Sequence, residues 1–329
     1  MSAVATQNIT TASQQWATRP DDQRFLSVAE LKASVAKRKK ESWTATPMVR
    51  DLRANVDETG KLGIEVFDPT ISERRMLEPT NYAFGQLSQY AGAPAKYLRS
   101  LPTQLAAINL QWGLEHAPIR DDSLVLAQSN GKHELRAMTS TSYGRIWDID
   151  VVEAVERVNH DGRWQIPSSS YTTTNPRRAT TLYASDRDVF MFLVDPKNPV
   201  DVAGETLFRG FYVWNSEVGS SVFGICTFLY RYVCDNRIIW GATNVRELRI
   251  RHIGGAPERF AYEGSKYLEN YANESTAELV DGIKKAKSLD VASTLNDGKG
   301  ETMTNWMMKR GFTKAEATGA INSAVAEEG

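Results

Sequence analysis

Most of the short motifs that identify an enzyme or a membrane protein are missing from this chain of 329 residues. It has only two cysteines and four histidines, with no CxxC, HxH or HExxH spacing, so a disulfide framework is excluded and no metal site is indicated. No apolar run reaches the ~18 residues of a membrane span, and we expect no membrane partner. The formal net charge is −1, so overall charge does not indicate a nucleic-acid partner, although a local basic face is still compatible with it.

Nucleotide-binding and nucleophile motifs are also lacking. The segment NDGKGET (residues 296–302) does not have the GxxxxGK[ST] spacing of a P-loop, no GxGxxG follows a strand pattern, and there is no GxSxG. The acidic residues form no cluster with nuclease spacing. We therefore predict no catalytic residues, no metal and no cofactor, which favours a protein that is not an enzyme. The polar N-terminus, MSAVATQNITTASQQ, lacks the basic and apolar regions of a secretory signal, so we expect a cytoplasmic location.

Hydrophobic periodicity predicts an α+β fold. Apolar residues recur at helical spacing over residues 76–117. The period then approaches two over residues 118–255, where Asn130-Gly131 is typical of a hairpin turn, and residues 256–290 are helical again. One helix interrupts the strand-rich block and is predicted to begin at Asp150. The result is a mostly antiparallel sheet with an inserted helix, flanked by N-terminal and C-terminal helices.

A capping-box pattern predicts the first helix. Ser27 stands three residues before Glu30, at the start of LSVAELKASVAKRKK. The helix ends in the basic run Lys37–Lys40, and cations are favourable at a helix C-terminus. A dedicated anion-binding role for this run is the alternative.

Composition divides the chain into a core and two appended segments. Residues 1–20 are rich in Ser, Thr, Gln and Ala without periodicity, so we predict a flexible tail. Residues 21–290 are predicted to form a single α+β core domain. A linker over residues 291–301 then leads to a small helical appendage, residues 302–329.

The most aromatic stretch of the chain, Phe211–Gly241, contains both cysteines. On one continuous strand Cys226 and Cys234 would lie ~26 Å apart at ~3.3 Å per residue, whereas a disulfide needs Cα atoms within ~7 Å, so we predict free buried thiols. The segment Asn215–Ser221 is predicted to be a hairpin loop between two strands, with a binding loop as the alternative. Arg231 lies among apolar residues; it either pairs with an acid such as Glu217 or Asp235, or it reaches an exposed face and contacts an anion.

Arginines and aromatic residues are interleaved in the strand-rich block. Between Cys226 and Phe260 there are six arginines and three acids, which makes this part of a nearly neutral chain locally basic. Cations that follow phosphates and rings that stack on bases are typical of single-strand binding sheets. An aromatic sheet core with solvated arginines is the alternative. The predicted nucleic-acid contacts are Arg136, Tyr143, Arg145, Trp147, Arg177, Arg178, Trp214, Arg231, Arg249 and Arg251.

Five segments in order resemble the phage/plasmid-like protein family, described as a domain of unknown function (number 932, UPF0380-type). They are QQWATRPDDQRFLSVAEL, YAFGQLSQYAGAPAKYL, LRAMTSTSYGRIWDIDVV, FYVWNSEVGSSVFGICTFLYRYVCDNRIIWG and RIRHIGG. In the third, Arg136, Tyr143 and Asp148 match the family pattern, and Ile149 stands where Asn is common. In the fourth, the matching residues are Asn215, Ser216, Gly219, Arg231, Val233, Cys234 and Asn236.

The resemblance supplies no established activity. It implies a mobile-element protein of the host cytoplasm that acts in DNA metabolism or host takeover. With the arginines and aromatic residues, it predicts a phage- or plasmid-encoded protein that binds nucleic acid, with single-stranded DNA favoured, and acts in strand binding or annealing during recombination without nucleotide hydrolysis. By analogy with annealing factors, we also expect a homo-oligomer.

Two other functions remain open. One is a metal-dependent nuclease that uses the acids Asp148, Glu217 and Asp235. The other is a protein-binding module that acts on a host factor through residues 302–329.

Overall fold

The computed structural model describes residues 19–116, 123–167, 180–202, 204–230, 232–233, 239–240, 243–275, 277, 280–281, 301–308 and 313–319. Over these residues the fold is α+β, as predicted. The strands in chain order are β1 (Arg24–Phe25), β2 (Ser42–Ala45), β3 (Arg53–Val56), β4 (Leu62–Asp68), β5 (Glu73–Pro79), β6 (Leu124–Ser129), β7 (His133–Thr139), β8 (Leu182–Ala184), β9 (Val189–Val202), β10 (Glu205–Asn215), β11 (Phe223–Tyr230), β12 (Tyr232–Val233), β13 (Ile239–Trp240) and β14 (Thr243–Ile250).

The α-helices include α1 (Val28–Lys40), α2 (Asn81–Tyr90), α3 (Ala95–Ser100), α4 (Thr103–His116), α5 (Asp148–Val158), α6 (Ala256–Arg259), α7 (Ser265–Asn273) and α8 (Glu301–Met308). Residues 314–319 are helical as well. A π-helical turn, Phe260–Gly264, joins α6 to α7. In the described part of the chain, none of the helices combines the length and apolarity that crossing a bilayer requires. The Ser27 cap is confirmed, because its hydroxyl accepts the backbone N–H of Glu30 at 3.1 Å.

The first sheet has the strand order β1-β8-β9-β10-β11-β14, and all its neighbouring strands are antiparallel. Helices α1, α5 and α7 cover one of its faces and form an apolar core with it. Strand β14 places Leu248 and Ile250 toward this core, as their alternation with charged residues predicts. The opposite face carries a second cluster of buried side chains: Tyr183, Phe190, Phe192, Val194, Tyr212, Cys226, Phe228 and Tyr230.

Cys226 has a free, buried thiol within that second cluster, as predicted. Burial raises the pKa of the thiol to about 12, so it remains protonated at neutral pH. Cys234 lies outside the described residues. Because the rings of this cluster pack against one another and are buried, they form a core rather than an open stacking surface, whereas Trp214 at its margin is only half-buried.

The second sheet has the strand order β2-β6-β7-β5-β4-β3 and is antiparallel except for the pairing of β5 with β7. Helices α2 and α4 pack against it around Leu87, Leu110 and Leu114. The sequence predicted one sheet centred on residues 118–255. The structure instead combines β6 and β7 with four strands that precede the helical stretch, a long-range pairing that local periodicity does not reveal.

The contact between α4 and α2 provides a test of this packing. A Cβ atom at Gly113 would lie 2.3 Å from the carbonyl oxygen of Ala91, whereas a Cβ atom at Gly85 would meet nothing within 4 Å. Alanine normally stabilises a helix interior over glycine by about 1 kcal/mol. We expect Gly85→Ala to raise the free energy of unfolding by about that amount and Gly113→Ala to lower it, as measured by urea denaturation. Stabilisation by both substitutions would contradict the close approach of the two helices.

Candidate functional site

The segment at the end of β10 is buried in the protein interior, although its Asn and Ser residues are typical of an exposed turn. Asn215, Ser216 and Glu217 are each at most 1% exposed. Only from Gly219 onward does the loop reach solvent before β11 begins. The hairpin loop is therefore present, but its first half brings a carboxylate between the two sheets.

The carboxylate of Glu217 contacts three separate elements. Its Oε2 atom accepts a hydrogen bond from Nη2 of Arg136 on β7 at 2.6 Å and lies 3.4 Å from Nε of Arg38 on α1. Its Oε1 atom accepts the backbone N–H of Asp148, the first residue of α5, at 2.9 Å. Glu217 therefore caps a helix distant in sequence, where a negative charge also suits the positive end of the helix dipole. This helix begins at Asp148, two residues before the predicted start.

Asp148 and Arg145 complete the arrangement. The Asp148 carboxylate accepts hydrogen bonds from Nη2 of Arg38 and, at 2.7 Å, from Nδ2 of Asn215. Nη1 of Arg145 donates to the backbone oxygen of Glu217. We call these six residues the junction cluster: Arg38, Arg136, Arg145, Asp148, Asn215 and Glu217. Three guanidinium groups and two carboxylates give it a formal charge of +1 when all are ionised.

The local environment lowers the pKa of one carboxylate of the junction cluster and raises the pKa of the other. Burial alone would raise the pKa of Glu217, but the charges of Arg38 and Arg136 outweigh burial and hold that pKa below its usual range. Burial, followed by repulsion from Glu217, raises the pKa of Asp148. Burial also lowers the pKa of Arg145 to about 10, which still leaves this guanidinium charged at neutral pH.

A neutral histidine lies beside the junction cluster. The hydroxyl of Tyr143 donates to the backbone oxygen of Ser216 at 2.8 Å, and its ring stacks on His252 with centroids 5.1 Å apart. Nδ1 of His252 lies 3.1 Å from the carbonyl oxygen of Gly144, so this nitrogen carries the proton. Burial lowers the pKa of His252 to about 4, and the imidazole is therefore uncharged at pH 7.

The structure divides the predicted nucleic-acid contacts into separate groups. Arg136 and Arg145 are 2% and 8% exposed and bind acceptors within the junction cluster, which corrects their predicted role as phosphate contacts. Tyr143 and Trp147 are half-buried around the same cluster, where Arg145 lies over both rings. Three predicted contacts lie outside the described residues: Arg177, Arg178 and Arg231.

Two of the three acids considered for a nuclease do meet. Asp148 and Glu217, however, face arginines that occupy their oxygens. Over the described ranges, no group of three or more His, Cys, Asp or Glu side chains is placed to hold a metal ion. Asp235 lies outside those ranges. Glu217 pairs with Arg136 and Arg38, whereas Arg231, for which an acidic partner was one of two predicted environments, lies outside those ranges.

Sequence reasoning missed Arg38. It belongs to the run Lys37–Lys40, whose charges suit a solvated helix terminus, yet its side chain is only 14% exposed. Its backbone position shares the inner side of α1 with the buried Leu31 and Val35 at helical spacing. That spacing was the available signal that one cation of the run points inward.

The remaining predicted contacts are Arg249 and Arg251 at the outer strand of the first sheet and Trp214 two strands further in. Trp214, Gly224 and Arg249 form one row across β10, β11 and β14. The indole of Trp214 lies directly over Gly224: a Cβ atom on this glycine would be only 2.0 Å from the ring. The Arg249 guanidinium lies 6.0 Å from the indole centroid. The Arg249 side chain is 44% exposed and pairs with Glu247 at 2.6 Å, and Arg251 is exposed. We call Trp214, Arg249 and Arg251 the outer-strand surface.

Comparison with known proteins gives one match. A family model described as Domain of unknown function (DUF932) matches residues 137–316, which is more than half of the chain. The matched range includes α5, the first sheet from β8 onward and the Glu217 loop. No curated protein and no solved structure matches the chain.

The buried position of Glu217 predicts a large cost for neutralising it. In Glu217→Gln, Arg136 keeps a buried charge without a carboxylate, and breaking such a pair typically costs about 3–5 kcal/mol. We expect a decrease of that size in the free energy of unfolding, measured by urea denaturation at pH 7. The control is Glu78→Gln, because Glu78 pairs with Lys61 at 3.0 Å in an exposed position, and such pairs are worth at most about 1 kcal/mol. Equal losses in the two variants would refute the importance of the buried pair.

The low pKa of His252 predicts a loss of stability in mild acid. The unfolded chain binds a proton at this residue near pH 6.5, but the folded chain does so only near pH 4. Stability should therefore fall as pH decreases from 6.5 toward 4, by at most about 2 kcal/mol at pH 5. We expect His252→Gln to flatten this part of the profile and the exposed-site control His160→Gln to retain it. Parallel profiles for the two variants would show that His252 is not responsible.

Proposed function

This chain belongs to the family described as Domain of unknown function (DUF932), and we propose that it is a phage- or plasmid-encoded protein that binds single-stranded nucleic acid, preferentially DNA, in the host cytoplasm. The observation that carries the proposal is the outer-strand surface, where the indole of Trp214 on β10 lies 6.0 Å from the guanidinium of Arg249 on β14, the last strand of the sheet. Single-strand binding proteins combine these two groups, since rings stack on bases and cations contact phosphates.

The charge distribution along β14 supports phosphate contacts there. The Arg249 side chain is 44% exposed on the face of β14 opposite the helices, and Arg251 is exposed just after the strand. Arg246 is 47% exposed but alternates onto the face of Leu248, and the exposed Arg259 belongs to α6. Within the described residues, β14 pairs with β11 on one side and stands at the end of the sheet order, so a strand of nucleic acid can follow its open side. Arg246 pairs with Glu274 and Arg249 with Glu247, and these acids limit the net positive charge.

This charge balance implies weak binding with a modest salt dependence. If four arginines each displace one counterion from a single strand, the slope of log K against log salt is about −3. Base stacking on Trp214 would add about 1–3 kcal/mol with little sequence preference. Binding of this kind needs neither nucleotide nor metal, which agrees with a role in strand annealing during recombination.

The proposal is tested with labelled single-stranded and double-stranded DNA and RNA in anisotropy titrations over a salt series. We expect salt-dependent binding with preference for single-stranded DNA. In the double variant Arg249→Ala/Arg251→Ala, loss of two phosphate contacts should reduce the magnitude of the slope by about 1.4. The matched control, Arg50→Ala/Arg74→Ala, removes one exposed arginine from the turn between β2 and β3 and one from β5, and should leave the slope unchanged.

Two results would overturn the proposal. One is the absence of binding to any of these nucleic acids at low salt. The other is binding whose salt slope is the same in the wild type and in Arg249→Ala/Arg251→Ala, which would place the contacts elsewhere.

A further inference from the structure

Helix α4 presents an apolar stripe to solvent. Leu105, Ile108 and Trp112 follow the i, i+3, i+7 spacing of one helix side and are 44%, 64% and 64% exposed. The opposite side of the helix packs against the second sheet, where Leu110 and Leu114 are buried in the core. A helix that is apolar on both sides is expected to be covered on both sides.

Trp112 is held in place although it is exposed. The ring of His116 stacks on the indole with centroids 4.5 Å apart and an interplanar angle of 16°. Nδ1 of His116 also lies 2.8 Å from the backbone oxygen of Trp112, which fixes the imidazole. An aromatic side chain that is ordered before binding loses little conformational entropy in an interface, and tryptophan is among the residues that most often dominate interface energy.

A groove of about 580 Å³ runs beside the stripe, between α4 and the outer strand β3. Ala54, Val56 and Ile108 are among its lining residues. The carboxamide of Gln111 accepts the backbone N–H of Ala54 at 2.6 Å and thus occupies part of the open edge of β3. A partner on this surface therefore meets apolar side chains and a groove rather than a fully open strand edge.

The charges of α4 restrict the kind of partner. The helix contains one acid, Glu115, and neither lysine nor arginine, so it does not suit nucleic acid or an anionic membrane surface. The stripe itself is uncharged and can face a copy of itself without repulsion. Lys96 and Arg99 lie in α3, just before α4, whereas Glu115 lies near the end of α4. Antiparallel packing of two copies would bring Lys96 and Arg99 of one toward Glu115 of the other, an acid that lies 4.0 Å from Arg53 within its own chain.

The exposed stripe supplies most of the area that a small homodimer interface needs. With aromatic side chains that bury 150–250 Å² each, the exposed parts of Leu105, Ile108 and Trp112 amount to roughly 350 Å² per copy. Polar residues around the stripe and groove, such as Gln104 and Asn55, raise this toward the roughly 500 Å² per partner that a specific interface needs at minimum. We propose that α4 is a dimerisation surface on which two copies of this chain pack their stripes antiparallel about a two-fold axis near Ile108.

The first test is sedimentation equilibrium of the full chain over a range of concentrations. We expect the wild type to shift with concentration from 36.7 kDa toward twice that mass. Ile108→Arg should remain monomeric, because it places two like charges at the two-fold axis. Tyr262→Arg is the matched control: Tyr262 is 69% exposed outside α4, and this variant should dimerise like the wild type. A monomeric wild type at every concentration, or a dimer that Ile108→Arg does not weaken, would overturn the proposal.

A second test identifies the symmetry of the interface. A cysteine placed near a two-fold axis faces its own copy, so Ile108→Cys should form a disulfide-linked dimer under mild oxidation, whereas Tyr262→Cys and the wild type should not. Circular dichroism of all variants verifies their folding. Equal cross-linking of Ile108→Cys and Tyr262→Cys would reject the two-fold arrangement. Both measurements are made without nucleic acid, and their outcome is therefore separate from that of the proposed binding function.

Discussion

The placement of one carboxylate determines how the two sheets are joined. Glu217 lies two residues after the end of β10 in the first sheet. Its carboxylate contacts Arg136 on β7 of the second sheet, Arg38 on α1 and the first N–H of α5. An apolar residue at position 217 would satisfy none of these buried donors. Buried ion pairs often add little net stability compared with apolar packing, because both charges lose their hydration. We therefore interpret the junction cluster chiefly as a device that selects one relative arrangement of strands and helices.

Six of the residues that match the family pattern meet around this carboxylate: Arg136, Tyr143, Asp148, Asn215, Ser216 and Gly219. Tyr143 donates to Ser216, Asn215 donates to Asp148, and the ring of Tyr143 lies 3.5 Å from the position of a Cβ atom on Gly219. Gly219 has a φ of 89°, a conformation that favours glycine. Two motifs that are about 70 residues apart are thus explained by one folding requirement. Their polar residue types satisfy buried hydrogen bonds, so these motifs by themselves do not define a ligand site.

Sequence periodicity predicted the elements better than it predicted the environment of their side chains. The α+β class, the hairpin at Asn130-Gly131 and the alternation along β14 depend on neighbours in sequence, and the structure has all three. The burial of Arg136 and Arg38 depends on an acid that arrives from a distant loop. An arginine that is paired inside the protein and one that faces solvent have the same local pattern. The separation of Arg136 and Arg145 from Arg249 and Arg251 therefore became visible only in three dimensions.

Because the junction cluster uses its arginines internally, the two surfaces that we propose for contacts with other molecules lie elsewhere, one on each sheet. The outer-strand surface belongs to the first sheet, and the stripe on α4 belongs to the second. A nearly neutral chain with few exposed arginines on one strand gains limited affinity from phosphate contacts alone. Joining two copies through α4 would place two outer-strand surfaces in one particle, and the second contact with a long nucleic acid would then form at a high effective concentration. Dimerisation through an uncharged stripe is thus a physical means by which weak, local binding can become useful without a strongly basic protein.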